Sequence, residues 1–188
     1  GQTEVSWQIK ARSAFTMRAF AATVKAALAL DCQYALDQLA GLLEPPEAPR
    51  YTLSVLGARD VEACRCVIQT YQGPIKDLPE AVQRHSSALR EALAAQGISA
   101  TGATRVYYQK TNIKLRTTVC QIALPVGAAD VGTLDVREMP AQRCYGVRLS
   151  GSSAALEIAW YRAMQRLNAE QYKPDQRLPP FEHHLSDE

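Results

Sequence analysis

The chain has 188 residues, enough for one well-packed core or for one domain and part of another. Its net charge is +2 with acidic and basic residues interspersed, which argues against binding of a phosphate backbone, and no apolar stretch approaches the roughly 18 residues of a membrane span. Five cysteines, an odd number, are typical of reduced thiols rather than of a disulfide framework. We therefore expect a cytoplasmic protein that binds neither nucleic acid nor a membrane.

The N-terminal region, residues 1–44, predicts one strand and one long helix. Residues 3–10 alternate apolar and polar side chains, as strands do, and over residues 15–43 apolar side chains recur every three or four positions, as on one face of a helix. One strand is too small to cover this apolar face, so we expect a dimer through the 15–43 helix or a fragment of a longer domain. The proline-rich segment 45–50 predicts a linker to the second region, residues 51–188.

The second region alternates between strand and helix patterns. Apolar residues at every second position predict strands at 51–58, 61–71, 104–109, 117–125, 132–138, 141–149 and 181–185. Apolar residues at steps of three and four predict two helices, one from about residue 78 to a stop at Gly97 and one from about 151 to 167. The first two strands are predicted to form a hairpin-like pair with a turn at 57–60.

Residues 63–112 and 141–188 resemble each other, since both predict strand, strand, helix, strand. Aligning them places Val106 on Glu182 and Tyr108 on His184. A duplicated unit of this kind predicts an α+β fold, in which a curved antiparallel sheet carries two helices on one side and a central cleft along the pseudo-twofold seam. Small molecules usually bind in such a cleft.

Cysteine and histidine residues give no sign of a metal site. Cys64 and Cys66 share one face of a predicted strand, but no further Cys or His lies near them in the sequence, which favours small packed thiols. His85 lies on an apolar helix face, where a hydrogen-bonded packing histidine is the favoured interpretation. We expect neither a metal nor a cofactor.

Three segments of the second region resemble the GyrI-like family. Residues 117–126 (TTVCQIALPV) are similar to its "evgipv" strand, residues 136–144 (VREMPAQRC) to its "v..lpa...a" segment, and residues 181–187 (FEHHLSD) to its "fEvYlnD" motif. The resemblance implies a small-molecule-binding domain related to AraC-type and multidrug-sensing regulators. Two departures are His184 in place of the family's tyrosine and the absence of a closing strand after this motif, which suggests a truncated C-terminus.

Residues 1–44 resemble a different family. Val5-Ser6-Trp7 and residues 34–43 are similar to the last strand and the long C-terminal helix of a START-like (SRPBCC) domain. The resemblance implies that such a domain precedes the GyrI-like region.

The candidate site is centred on Glu182. Alternation along an extended strand puts Glu182 and His184 on one side, and the repeat alignment puts Val106 and Tyr108 on the same side of the first copy. With the family resemblance, this predicts an apolar, aromatic pocket with one carboxylate that has no partner, which favours a cationic ligand. The predicted ligand-binding residues are Glu182, Tyr108, Trp160, Tyr145, His184 and Val106.

Two functions stay open at this point. The first is a binding or sensor module for a lipophilic small molecule, either cationic or aromatic. The alternative, implied by GyrI-like hydrolases, is hydrolysis of strained, cyclopropane-bearing compounds with Glu182 as the catalytic general base. No nucleophile constellation supports this alternative. His183 and His184 point to opposite faces of a strand, which disfavours joint metal binding. A structural alternative leaves Glu182 exposed near the chain end and Trp160 packed in the core.

Overall fold

The computed structural model describes residues 21–43 and 51–185, which contain three α-helices and seven β-strands. The helices are α1 (Ala21–Leu43), α2 (Leu78–Ala94) and α3 (Leu156–Ala169). The strands are β1 (Tyr51–Val61), β2 (Cys64–Pro74), β3 (Thr104–Asn112), β4 (Thr117–Pro125), β5 (Val136–Met139), β6 (Gln142–Gly151) and β7 (Phe181–His184). The predicted α+β class with antiparallel sheets is confirmed. The strand predicted at 3–10 and the linker predicted at 45–50 lie outside the described residues.

Two compact units alternate along the described part of the chain. The helix-pair unit comprises residues 21–43, 51–59 and 145–173, and the sheet unit comprises residues 60–144 and 174–185. A linear division of the chain at 45–50 stays a prediction. Within the described ranges, no helix combines the length and apolar character needed to cross a membrane.

The sheet unit is built on five strands in the order β5-β2-β4-β3-β7, and every neighbouring pair is antiparallel. Two pairings of β3 matter for the site, since Val106 lies opposite Glu182 of β7 and Tyr108 lies opposite Cys120 of β4. The β3–β4 register shifts directly after Tyr108, which is the signature of a β-bulge.

Helix α2 covers one face of this sheet. Its buried residues recur on a single stripe, so the helix presents a continuous apolar face to β2 and β4. One cluster joins the N-terminal half of α2 to the sheet through Tyr71, Leu78, Ala81, Val82, Val106, Cys120 and Ile122, and a second joins its C-terminal half through Val67, Leu89, Leu93, Leu124, Val126 and Val131. Burial of each large side chain contributes about 1.5–3 kcal/mol. The helix stops before Gly97, whose φ of 70° suits glycine.

The other face of the same sheet carries a third cluster. It consists of the buried residues Cys66, Ile68, Tyr107, Ala123 and Met139, with Cys64 and Phe181 packed against them. Because side chains alternate along a strand, Cys66 and Tyr107 belong to this face, whereas Val67, Val106 and Tyr108 belong to the α2 face.

The helix-pair unit contains α1 packed against α3 and the pairing of β1 with β6. Polar contacts hold the middle and the C-terminal part of α1. Asp31 accepts a hydrogen bond from Tyr161 Oη at 3.1 Å and lies 3.5 Å from Arg162, and Asp37 accepts one from Tyr51 Oη at 3.0 Å. The N-terminal half of α1 is largely exposed.

The predicted hairpin between the first two strands is wrong, because β1 pairs with β6 while β2 pairs with β4 and β5. Gly57, placed in the predicted turn, lies inside β1 with a φ of 70°. The actual connection is Glu62-Ala63, and neither residue readily adopts the positive φ that a two-residue hairpin turn needs.

Candidate functional site

Glu182 lies on β7 with a side chain that is only 10% exposed. Its Oε1 accepts a hydrogen bond from Tyr108 Oη at 2.6 Å, and its Oε2 lies 3.0 Å from Nε2 of His184. The expectation of a carboxylate without a partner is therefore wrong, because a phenol and an imidazole both engage it. The alternative of a solvent-exposed Glu182 is also wrong.

The surroundings of the Glu182 carboxylate are mostly apolar. Val106, directly opposite on β3, is fully buried, and Tyr108 packs against the cluster under the first half of α2. Tyr108 itself is fixed at its backbone, where its N–H donates to Pro180 O at 2.9 Å. The carboxylate thus lies at the border of an apolar cluster and is held by groups on two adjacent strands.

The charge of Glu182 affects the groups around it. Burial raises the pKa of Tyr108, and the charge and hydrogen bond of Glu182 raise it further, so Tyr108 remains a neutral donor. Burial, with a smaller contribution from the Glu182 charge, raises the pKa of Cys120 to about 11. The carboxylate therefore has two protonated neighbours, one phenol and one thiol.

The two adjacent histidines differ in their surroundings. His184 is on the Glu182 side, 39% exposed, and forms an ion pair with the carboxylate when it is protonated. His183 lies opposite Arg105 of β3, and burial, together with the charge of Arg105, lowers its pKa. His183 is therefore favoured in its neutral form, away from Glu182.

Six ligand-binding residues were predicted, and the structure brings four of them together in the sheet unit: Glu182, Tyr108, His184 and Val106. The remaining two lie in the helix-pair unit. Trp160 is half-buried on α3. Tyr145 on β6 donates a hydrogen bond from its Oη to Glu170 Oε1 at 2.6 Å, and its ring centroid lies 5.9 Å from that of Tyr172.

Cys120 is a neighbour of the site that the sequence did not predict. This fully buried residue lies opposite Tyr108 in the β3–β4 register, and its thiol responds to the charge of Glu182. The sequence does carry one signal, because the short connection between β3 and β4 predicts a hairpin, in which cross-strand partners can be counted outward from the turn. The bulge after Tyr108 shifts this register by one residue, so the count does not give Cys120 as the partner of Tyr108.

His85, which was predicted to be a packing histidine, pairs through Nδ1 with Oε1 of Gln69, and burial lowers its pKa.

In the part of the chain that the structure describes, no group of three or more His, Cys, Asp or Glu side chains has the arrangement of a metal site.

The likeness to the solved structures described next supports the GyrI-like fold implied by the three sequence segments. Comparison with protein-family models and with curated proteins finds no match.

Among solved structures, the chain is similar to EcmrR in the cryo-EM structure of the EcmrR–DNA complex in EcmrR-RPo, with 16% identity and a TM-score of 0.56. This match covers 88% of the chain and 60% of the EcmrR chain, so the sequence spans less than two thirds of EcmrR. The crystal structure of the EcmrR C-terminal domain matches with 13% identity and a TM-score of 0.50, over 71% of this chain and 99% of that domain. The structure of SAV2435 bound to tetraphenylphosphonium gives 12% identity and a TM-score of 0.41, over 74% of this chain and 85% of SAV2435. The EcmrR matches show a shared fold.

Proposed function

We propose that this chain is a small-molecule-binding module whose ligand is a lipophilic cation, with Glu182 as the counter-charge. The observation that carries the proposal is the Glu182 carboxylate itself, 10% exposed at the border of an apolar cluster. A carboxylate in such a position loses hydration that its hydrogen bonds only partly replace. A cation that enters beside it restores the lost electrostatic stabilisation and also buries apolar surface.

The two partners of Glu182 favour a cation without hydrogen-bond donors. Tyr108 and His184 already occupy one position on each carboxylate oxygen. An onium or phosphonium ion needs no directed lone pair, since it is attracted by charge and by aromatic faces. The hydrolytic alternative is not favoured.

The proposal is tested with two ions of nearly equal shape and opposite charge, tetraphenylphosphonium and tetraphenylborate, by isothermal titration calorimetry. Two unit charges about 6 Å apart interact by roughly 3 kcal/mol at an effective dielectric constant of about 20. Because about 1.4 kcal/mol is tenfold in affinity, we expect Glu182→Gln to weaken the cation by roughly 10- to 100-fold after screening. The borate should bind weakly to both proteins.

The control is Glu138→Gln, which removes a carboxylate whose side chain is 75% exposed on β5. It changes the net charge by the same amount and should leave the cation affinity within about twofold, because exposed charges are screened. Equal binding of the two ions by the unmodified chain, or an equal loss in both variants, would contradict the role of Glu182. Ligand-free melting curves confirm that both variants fold.

That Trp160 and Tyr145 also contact the ligand stays a proposal. In a chain that carries Trp7→Phe, Trp160 is the remaining tryptophan. Its fluorescence should then change with the same midpoint as the calorimetric titration, and an unchanged spectrum at saturation would remove Trp160 from the site.

We also propose that the module serves a regulator and pairs with a second copy through α1. The same fold forms the C-terminal domain of EcmrR, which has been solved with DNA. Val24 and Leu28 on α1 are 45% and 37% exposed, an unusual position for large apolar side chains one turn apart. Sedimentation equilibrium should give a dimer, and Val24→Glu with Leu28→Glu should give a monomer.

A START-like origin for residues 1–44 stays a proposal, which the gene sequence upstream tests.

A further inference from the structure

The sheet face opposite α2 carries two thiols in contact. Cys64 and Cys66, two residues apart on β2, place their Sγ atoms 3.5 Å from each other. Cys64 is partly exposed and Cys66 is fully buried. The pair lies on the face that holds Tyr107 and Met139, and Glu182 with Tyr108 lies on the α2 face, so the thiols belong to a separate site.

A guanidinium group accompanies the thiol pair. Arg105 on β3 donates through Nη1 to Cys64 Sγ at 3.0 Å and to Tyr107 Oη at 3.4 Å, and its charge lies 6.0 Å from the ring centre of Phe181. Its Nε is buried and has no hydrogen-bond partner among the described residues. A positive charge beside a sulfur atom stabilises the negative charge that the sulfur carries when it acts as a nucleophile.

We infer that Cys64 and Cys66 form a dithiol site for monosubstituted trivalent arsenic compounds. An arsenic(III) centre that already carries one carbon substituent needs two protein sulfur atoms to complete its coordination. Here two sulfur atoms are available in contact, one of them reachable from solvent. The partly exposed Cys64 attacks first, and Cys66 closes the chelate.

Other uses of the pair fit the geometry less well. Zinc requires about four ligands, and the described residues hold no group of three or more metal-ligating side chains. A disulfide between these residues would join Cα atoms roughly 6.6 Å apart along an extended strand, the upper end of the range that disulfides span. The strand is also paired on both sides, with β4 and β5, which resists the distortion. An arsenic bridge keeps the two sulfur atoms near their present separation.

The reaction balances without an oxidant or a reductant. With phenylarsine oxide, two arsenic–sulfur bonds form and the bond between arsenic and oxygen is lost. The two thiol protons leave with that oxygen as water, and arsenic remains trivalent. Burial raises the pKa of Cys66 to about 12, in accordance with its reaction as the second, neutral thiol.

The experiment uses phenylarsine oxide and the full chain, with intact-mass analysis after treatment with excess 2-mercaptoethanol. A chelate held by two thiols survives this monothiol and is removed by 2,3-dimercaptopropanol. We expect one arsenic per chain under the monothiol. Cys64→Ser and Cys66→Ser should each lose it, whereas Cys144→Ser and Cys32→Ser, which also change partly buried thiols, should keep it.

Peptide mapping tests the same assignment in the unmodified chain, so it does not depend on whether a variant folds. Trypsin cleaves after Arg59, Arg65 and Lys76 and separates the two thiols onto peptides 60–65 and 66–76. The bridge should keep these peptides joined, and the dithiol should release them. Removal of all arsenic by the monothiol, or a bridge that includes Cys32, Cys120 or Cys144, would overturn the inference.

Discussion

The hydrogen bond between Tyr108 and Glu182 gives the sharpest test of the site, through the substitution Tyr108→Phe. This change removes one oxygen atom, the donor that lies 2.6 Å from Glu182 Oε1, and leaves the ring in the apolar cluster. His184 remains beside the other carboxylate oxygen. The substitution thus removes the hydrogen bond that joins β3 to β7 at Glu182.

The expected loss follows from the charge and burial of the acceptor. A hydrogen bond to a charged group contributes about 1.5–3 kcal/mol, and this range applies here because the Glu182 side chain is only 10% exposed. For a chain of this size, about 1 kcal/mol corresponds to roughly 2–4 °C in the melting temperature. We therefore expect Tyr108→Phe to lower the melting temperature by about 3–12 °C.

Urea unfolding followed by far-ultraviolet circular dichroism measures the effect, with Glu182→Gln and the double variant completing a double-mutant cycle. We expect a coupling free energy of about 1.5–3 kcal/mol between Tyr108 and Glu182. Tyr172→Phe, the same change at a residue that is 48% exposed, is the matched control and should stay within about 0.5 kcal/mol. A coupling below about 0.5 kcal/mol would refute the reasoning, because the two groups would then act independently.

Three further predictions concern the sheet unit. Burial and the nearby carboxylate raise the pKa of Cys120 from 9.0 to about 11. The neutral thiol therefore stabilises the fold fully below pH 9, and this stabilisation is lost as the pH rises through 11. Over this pH range, the free energy of unfolding should fall less in Cys120→Ala than in the unmodified chain. Burial lowers the pKa of His85 below 6.5, so stability is lost as the pH falls below that value, and denaturant titrations should show a smaller loss between pH 7 and 5 for His85→Gln. Leu89→Ala, at a side chain that is 1% exposed under α2, should cost about 2–5 kcal/mol in urea, whereas Leu115→Ala at 72% exposure should cost less than about 0.5 kcal/mol. An equal dependence of unfolding free energy on pH with and without Cys120 or His85 would contradict the first two predictions. An equal loss of unfolding free energy in Leu89→Ala and Leu115→Ala would contradict the third.

Strand and helix positions were predictable because they depend on local periodicity. The predicted strand at 117–125 matches β4, and the helix predicted from about residue 78 with a stop at Gly97 matches α2. Alternation also predicted that Glu182 and His184 share a side, and their contact at 3.0 Å agrees. These features need only the spacing of side chains along one segment.

The partners of these segments were less predictable. The first two strands are neighbours in the sequence and were predicted to pair, yet β1 pairs with β6, about ninety positions further along the chain. The predicted partnerless state of Glu182 failed for the same reason, because Tyr108 lies 74 positions earlier. Strand order and register bring such residues together, and periodicity carries no information about either.

The sequence by itself determined the α+β class, the order of the elements, the resemblance to the GyrI-like fold and the carboxylate at the centre of the candidate site. The tertiary structure decided which groups surround that carboxylate and which group stands beside the thiols of β2. Arg105 reaches Cys64 across 41 positions, and Cys120 responds to Glu182, because antiparallel register aligns strands that are distant in the chain. The physical reason is that periodicity fixes the face on which a side chain lies, whereas its neighbours on that face depend on non-local pairing.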